Sequence, residues 1–169
     1  IPMAFGFILQ GLSGYYMAQF DVNLTTWGVG WTGFVQGIGV GFSWIPLSVI
    51  AFATLSPQMM NQGAAFFHLL RNIGSSIYIS VSVVVLLHTA KVHYAISTEW
   101  VSIYNKIFDM SFVTGLWNHS TETGLAALSG EIQRQGLMIG YINAFNLFAV
   151  TSFLTVPFIF FLRVPKKKK

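Results

Sequence analysis

The sequence predicts an all-α, polytopic membrane protein with about four transmembrane helices. Hydrophobic residues occupy 54% of its 169 positions, and charged residues occupy only 8%. Since a soluble domain normally carries about a quarter charged residues, this chain has too few charges to cover a surface that faces water. Its mean hydropathy is +0.63, and its apolar stretches are long enough to use lipid as their solvent.

The first two spans are predicted at residues 1–18 and 27–55. The first is barely as long as the ~20 residues needed to cross a bilayer. The chain also begins inside this apolar stretch, so we expect a piece of a longer protein. The second is long for one crossing, which indicates a tilted or bent helix, with its bend at Pro46 and with Trp27 and Trp31 at the membrane interface.

The other two spans are predicted at residues 63–88 and 137–162. Ser56 and Pro57 are typical of a helix start, because serine can cap exposed amides and proline suits the first helical position. The segment 89–136 is polar but rich in aromatic side chains. This combination predicts an outer loop that contains short amphipathic helices instead of a disordered linker.

The orientation is predicted from the charges at the end of the chain. Most of the net charge of +4 comes from Lys166–Lys169, which follow Arg163 and the last apolar span. The positive-inside rule places such a cluster in the cytoplasm and the long polar loop on the outer side. A solvated tail is the simplest interpretation of the lysines, and a site for anionic lipid is the alternative. Neither interpretation implies nucleic acid.

Enzymatic and metal chemistry are not expected. The chain has no cysteine, which excludes disulfides, thiolate metal sites and cysteine nucleophiles. His88 and His93 flank Lys91, but no paired carboxylate completes a metal site there. No nucleophile, base and orienting acid are grouped, so we predict neither an enzyme nor a cofactor.

Span two contains glycines at a spacing of four residues: Gly33, Gly37 and Gly41. They lie on one helix face and would let a neighbouring helix approach closely in lipid. Close packing within the same chain is the leading interpretation, and a flexing point or a homodimer contact are the alternatives. Gly74 in span three is assigned to helix packing with them.

Span three carries a polar face inside the apolar run GAAFFHLLRNIGSSIYISVSV. At ~100° per residue, five polar side chains share about a third of the helix circumference. An arginine near the bilayer centre costs ~3 kcal/mol, so this face should meet other helices or a water-filled path. One interpretation is a substrate or proton path; the other is an arginine that reaches the interface as an anchor. The residues of this face are His68, Arg71, Asn72, Ser75 and Ser82.

The segment SPQMMNQGAAFFHLLRNIGSSIYISVSVVVL resembles the penultimate helix of the fourteen-span drug:proton antiporters of the major facilitator superfamily, the EmrB/QacA type. The family run G-A-x-x-x-N-x-x-R-x-x-G-x-S-I-G is matched at six positions. His68 stands where asparagine is common, and Tyr78 replaces the last glycine. The segments GIGVGFSWIPLSVIAF and GEIQRQGLMIGYINAFNLFAVTSFLTVPFIFFLRVPKK are similar to the preceding and final helices. The matching positions are Gly63, Ala64, Arg71, Gly74, Ser76 and Ile77.

The resemblance implies that residues 1–169 are the C-terminal part of a transporter, at the end of a major facilitator bundle. It implies export of hydrophobic drugs or toxic compounds in exchange for protons, across the bacterial inner membrane. It further implies, as partners, the remaining spans and, in a cell with two membranes, a periplasmic adaptor and an outer-membrane channel. A small four-span accessory or scaffold protein without transport activity is the competing hypothesis.

One departure from the family concerns the last span, which often carries an acidic residue in the frame Y-x-D-x-F. Here Tyr141, Asn143 and Phe145 keep the frame with an amide, which cannot carry a proton. The predicted spans contain no Asp or Glu. Asn143 is assigned with the polar face of span three to a substrate or proton path, and the groups that carry the proton are assigned to helices outside this chain.

Overall fold

The structure is a computed structural model of the chain. It describes residues 2–53, 55–102, 104–106, 117 and 121–161. Arg163 and the four lysines, on which the predicted orientation depends, lie outside these residues. Residues 103, 107–116 and 118–120 of the predicted outer loop also lie outside them.

The described residues form helices and contain no strand. Three of the helices, α2, α3 and α4, are long and apolar enough to cross a membrane. The predicted all-α, polytopic membrane fold is therefore confirmed. With 16 residues, α1 is shorter than the ~20 residues of a full crossing. In chain order the elements are α1 (Pro2–Met17), α2 (Thr26–Phe52), a 3₁₀ turn (Pro57–Met59), α3 (Met60–Glu99) and α4 (Glu122–Ile159).

The starts of α2 and α3 follow local sequence signals. The Thr25 hydroxyl accepts a hydrogen bond from the Gly28 amide at 3.3 Å and caps α2. Pro57 begins the 3₁₀ turn that leads into α3, as expected, but the Ser56 side chain makes no capping hydrogen bond. Pro46 lies inside α2, where it cannot donate a backbone hydrogen bond.

The two long helices differ most from the sequence prediction. With 40 and 38 residues, α3 and α4 are each about 60 Å long, roughly twice the hydrocarbon thickness. Residues 89–99 and 122–136, predicted to lie in the outer loop, instead continue these two helices. The physical reason is that residues 89–99 contain neither proline nor glycine to stop α3. A change from apolar to polar residues marks the membrane boundary, and a helix can continue through it.

The chain forms two compact units. The first contains α1, α2, α3 up to Ser82 and α4 from Phe145. In it, α1 and α2 approach closely: a Cβ atom built on Gly39 would lie 2.9 Å from the Gly6 carbonyl oxygen. The buried Gln10 amide donates to the Ser43 hydroxyl at 2.8 Å and to the Gly39 carbonyl at 3.3 Å. Interhelical hydrogen bonds of this kind, beside small residues, hold helices together in lipid.

Two other contacts complete the core of the first unit. Ser13, which is 1% exposed, donates to the Thr32 carbonyl at 2.8 Å. The Tyr78 hydroxyl on α3 lies 3.1 Å from the Thr151 hydroxyl on α4. These polar side chains are thus paired inside the unit, as the low dielectric of a membrane favours.

The second unit contains α3 from Val83 and α4 up to Ala144. Gly140 faces the Leu86 carbonyl so closely that an added Cβ would lie 2.5 Å from its oxygen. Gly136 faces the Ala90 carbonyl in the same way, at 3.0 Å. These two glycines lie one helical turn apart and bring the backbones of α3 and α4 together.

Candidate functional site

The predicted polar face lies on the first third of α3. His68, Arg71, Asn72 and Ser75 are all exposed in the first unit. Leu70, beside them, is 54% exposed, so this part of α3 is barely covered by the rest of the described chain. A charged side chain on the lipid side of a spanning helix is costly. Water, other protein or a side chain that reaches the membrane interface would each reduce this cost.

Arg71 is held against an aromatic ring of α2. Its guanidinium carbon lies 4.3 Å from the centroid of the Trp44 ring. A cation over a tryptophan face gains roughly 0.5–2 kcal/mol, with the larger value where water is excluded. The sequence analysis did not identify Trp44. The signal that could have found it is an aromatic residue on α2 close to the short turn that leads to the arginine.

Three further aromatic side chains extend from the Trp44 ring, through Phe67. The Phe67 ring lies 5.8 Å from the Trp44 ring and 5.4 Å from the Phe52 ring, centroid to centroid. The His68 ring meets the Phe67 ring edge-on at 5.8 Å. We call Trp44, Phe52, Phe67, His68 and Arg71 the Arg71 cluster. Within this cluster the Trp44 ring contacts the cation, and the Phe67 ring packs against Trp44 at a distance that favours a defined orientation.

The remaining polar residues of the face are bonded locally. The Ser75 hydroxyl donates to the Asn72 carbonyl at 2.9 Å, and the Ser82 hydroxyl donates to the Tyr78 carbonyl at 2.9 Å. Within the described part of the chain, no side-chain hydrogen bond joins His68, Arg71 and Ser75 to one another. The face is thus a set of separate polar groups, each available to a molecule or a helix placed against it.

Asn143 lies in the second unit, on α4. Its amide nitrogen donates to the Thr89 hydroxyl of α3 at 3.3 Å, and the contact is half-buried. Thr89 was not identified from the sequence. At this position the side chain links two helices, which is a structural role that an amide performs without carrying a proton.

The four glycines assigned to packing are placed differently from the prediction. A Cβ atom built on Gly33, Gly37, Gly41 or Gly74 would meet nothing within 4 Å in the described chain. Within the described chain these glycines face open space, and their role in helix packing stays a prediction. The glycine of α2 that packs is Gly39, which lies about 200° around the helix from Gly37. The spacing identified a glycine face, but α1 contacts the opposite one.

Gly41, one of the glycines predicted to pack against a helix, borders a cavity. An apolar cavity of about 530 Å³ lies along α2, with Pro2 of α1 at one side. Its volume is in the range of small-molecule sites, about 300–1,000 Å³. The other residues that line it are Ile38, Gly41, Phe42, Ile45 and Pro46.

Comparison with known proteins finds similarity to two multidrug export proteins. The chain is 26% identical over 168 residues to the multidrug export protein EmrB of Haemophilus influenzae, covering 98% of this chain and 33% of that protein. It is 22% identical over 166 residues to the multidrug export protein EmrB of Escherichia coli K12, covering 96% of this chain and 32% of that protein. The chain thus spans about a third of the length of the curated relatives that it matches.

Comparisons with family models and with solved structures found no significant match. The similarity to EmrB proteins nevertheless extends over almost all of the chain. It agrees with the apolar helices in indicating a membrane protein.

Proposed function

We propose that this chain is part of a proton-coupled secondary transporter that exports hydrophobic drugs or toxic compounds. The type that we propose is the fourteen-span drug:proton antiporter of the major facilitator superfamily, in the bacterial inner membrane. The observation that carries the proposal is the similarity to multidrug export proteins over 98% and 96% of the chain. The exposed polar face of α3 supports it, since a transport path needs polar groups inside the bilayer.

In this proposal, helices outside the chain lie against the polar face of α3 and enclose a path between them. Arg71, held by Trp44 at 4.3 Å, presents a fixed cation to that path. The apolar cavity beside Gly41 offers a surface for hydrophobic compounds. Proton-carrying acids belong to the other helices, and an adaptor and an outer-membrane channel would continue the route in a cell with two membranes.

Export by the full-length protein tests this function. In cells that lack their own major exporters, the protein is expected to lower the accumulation of a fluorescent cationic dye several-fold. The effect should disappear when the proton gradient is dissipated while ATP is maintained, because the gradient drives the exchange. Dye accumulation that is unchanged by a protein present at normal abundance in the membrane would instead support an accessory or scaffold role.

The proposed orientation is tested separately by reporter fusions. A reporter fused after Lys169 should be active only as a cytoplasmic marker, and one inserted near Asn118 only as an external marker. The basic tail is the reason for this expectation. The reverse pattern of activities would overturn the orientation and leave the export test unaffected.

A further inference from the structure

The second unit contains a cavity that the proposed transport path does not use. It has a volume of about 580 Å³ and lies between α3 and α4. Both helices contribute apolar and polar side chains to its walls. The residues that line it are Leu87, Ala90, Lys91, Tyr94, Gln133 and Leu137.

The polarity of this cavity changes along the helix axes. Leu87 and Leu137 belong to the apolar stretches of α3 and α4, whereas Lys91 and Gln133 each lie four residues further from those stretches. Four residues correspond to about 6 Å along a helix. The cavity therefore has an apolar end beside the apolar stretches of the two helices and a polar end further from them. An amphiphile has the same distribution of polarity.

The positive charge of Lys91 at the polar end of the cavity favours an anionic ligand. Lys91 forms no ion pair with an acidic residue, and Gln133 makes no hydrogen bond, among the residues that the structure describes. The nearby Glu131 is already engaged, by Arg134 at 3.0 Å and by Gln135 at 3.0 Å. The Tyr94 hydroxyl is also paired, with Ser129 at 3.0 Å. An ammonium group and an amide are thus left to bind a ligand's headgroup.

We propose that this cavity binds the headgroup of an anionic phospholipid. Lys91 contacts the phosphate, Gln133 donates to a phosphate or ester oxygen, and the acyl chain follows Leu87, which is 46% exposed, toward Val84, which is 65% exposed. A lysine at a membrane surface attracts anionic lipid in the same way that polybasic segments do. The proposal depends on the membrane fold and on the cavity, and it does not depend on the transport function.

Lipid binding by the full-length protein tests the proposal. Purified protein in a neutral detergent is titrated with phosphatidylglycerol or phosphatidylcholine, and bound lipid is counted by native mass spectrometry. Wild-type protein is expected to prefer phosphatidylglycerol, and Lys91→Gln to weaken its binding about fivefold with little effect on phosphatidylcholine. Lys91→Arg should retain the preference. Lys106→Gln is the matched control, because Lys106 is exposed and does not line the cavity.

A cavity-filling variant provides an independent measurement. Leu137→Trp should reduce the binding of phosphatidylglycerol while Lys91 and its charge are retained. Unchanged binding in Lys91→Gln would overturn the proposal and would indicate that the rest of the protein covers the cavity. An equal loss in Lys106→Gln would also overturn it, because the effect would then come from overall charge and not from the cavity. Binding of oleate in place of phosphatidylglycerol would also overturn it, since the ligand would then be a free anionic amphiphile.

Discussion

Alanine at Gly39 is expected to destabilise the protein by roughly 1–3 kcal/mol, whereas alanine at Gly37 should have no such effect. A Cβ atom at Gly39 would lie 2.9 Å from the Gly6 carbonyl oxygen and 3.1 Å from the Gln10 amide nitrogen. Both atoms belong to the backbone of α1, so relief requires α1 and α2 to move apart. That movement would also lengthen the hydrogen bonds from the buried Gln10 to α2.

Thermal unfolding of full-length protein in detergent, followed by loss of the monodisperse peak in size-exclusion chromatography, measures this difference. Gly37→Ala is the matched control, since it makes the same change two residues away, where nothing lies within 4 Å. It should leave the midpoint unchanged or raise it slightly, because alanine favours the helix. An equal loss in both variants would mean that α2 packs as tightly on its other face as it does on α1.

The sequence located the helices of the first unit well. The predicted first and second spans, 1–18 and 27–55, agree with α1 and α2 within one to three residues. Hydropathy predicts these helix ends because the chain changes from apolar to polar residues at the same positions where it turns. Residues 89–99 and 122–136, which their polarity assigned to the outer loop, are helical and continue α3 and α4. Hydropathy marks a change from apolar to polar residues, and a helix can continue through such a change.

Helical periodicity predicted a polar face on α3 but not the contacts of its residues. Helical periodicity placed His68, Arg71 and Ser75 on one face, and the structure shows this face exposed. Periodicity cannot say which residue of another helix lies opposite, so the ring contact of Trp44 with Arg71 was missed. Partners across helices depend on the rotation of each helix, which a single sequence does not specify.

The glycines of α2 illustrate the same limit. Gly33, Gly37 and Gly41 form the longest regular series, and the spacing correctly marks a smooth face. The structure uses the lone Gly39 instead, because Gly6 of α1 presents a complementary small surface to it. A packing prediction in lipid therefore needs small residues on both partners, and the pair Gly6 and Gly39 satisfies this condition.

Export should depend on the planar guanidinium of Arg71 as well as on its charge. The guanidinium carbon lies 4.3 Å from the Trp44 ring centroid, and a planar group can stack on that ring while its donors face the polar side of α3. A lysine offers a point charge on a flexible stem. Arg71→Ala is expected to abolish most export, and Arg71→Lys to reduce it about tenfold, which corresponds to an interaction of roughly 1–2 kcal/mol.

Dye efflux from energised cells that express the full-length variants at matched membrane abundance measures this effect. Trp44→Leu should reduce export as Arg71→Lys does, and the double variant should be no worse than either single variant, because both changes remove one interaction. Trp27→Leu is the matched control, since Trp27 is 80% exposed and lies at the start of α2.

Wild-type efflux by Arg71→Lys would show that the charge alone suffices, as expected of an arginine that only reaches the membrane interface. Additive losses in the double variant would show that Trp44 and Arg71 act independently. The Arg71 guanidinium would then be positioned by helices outside this chain.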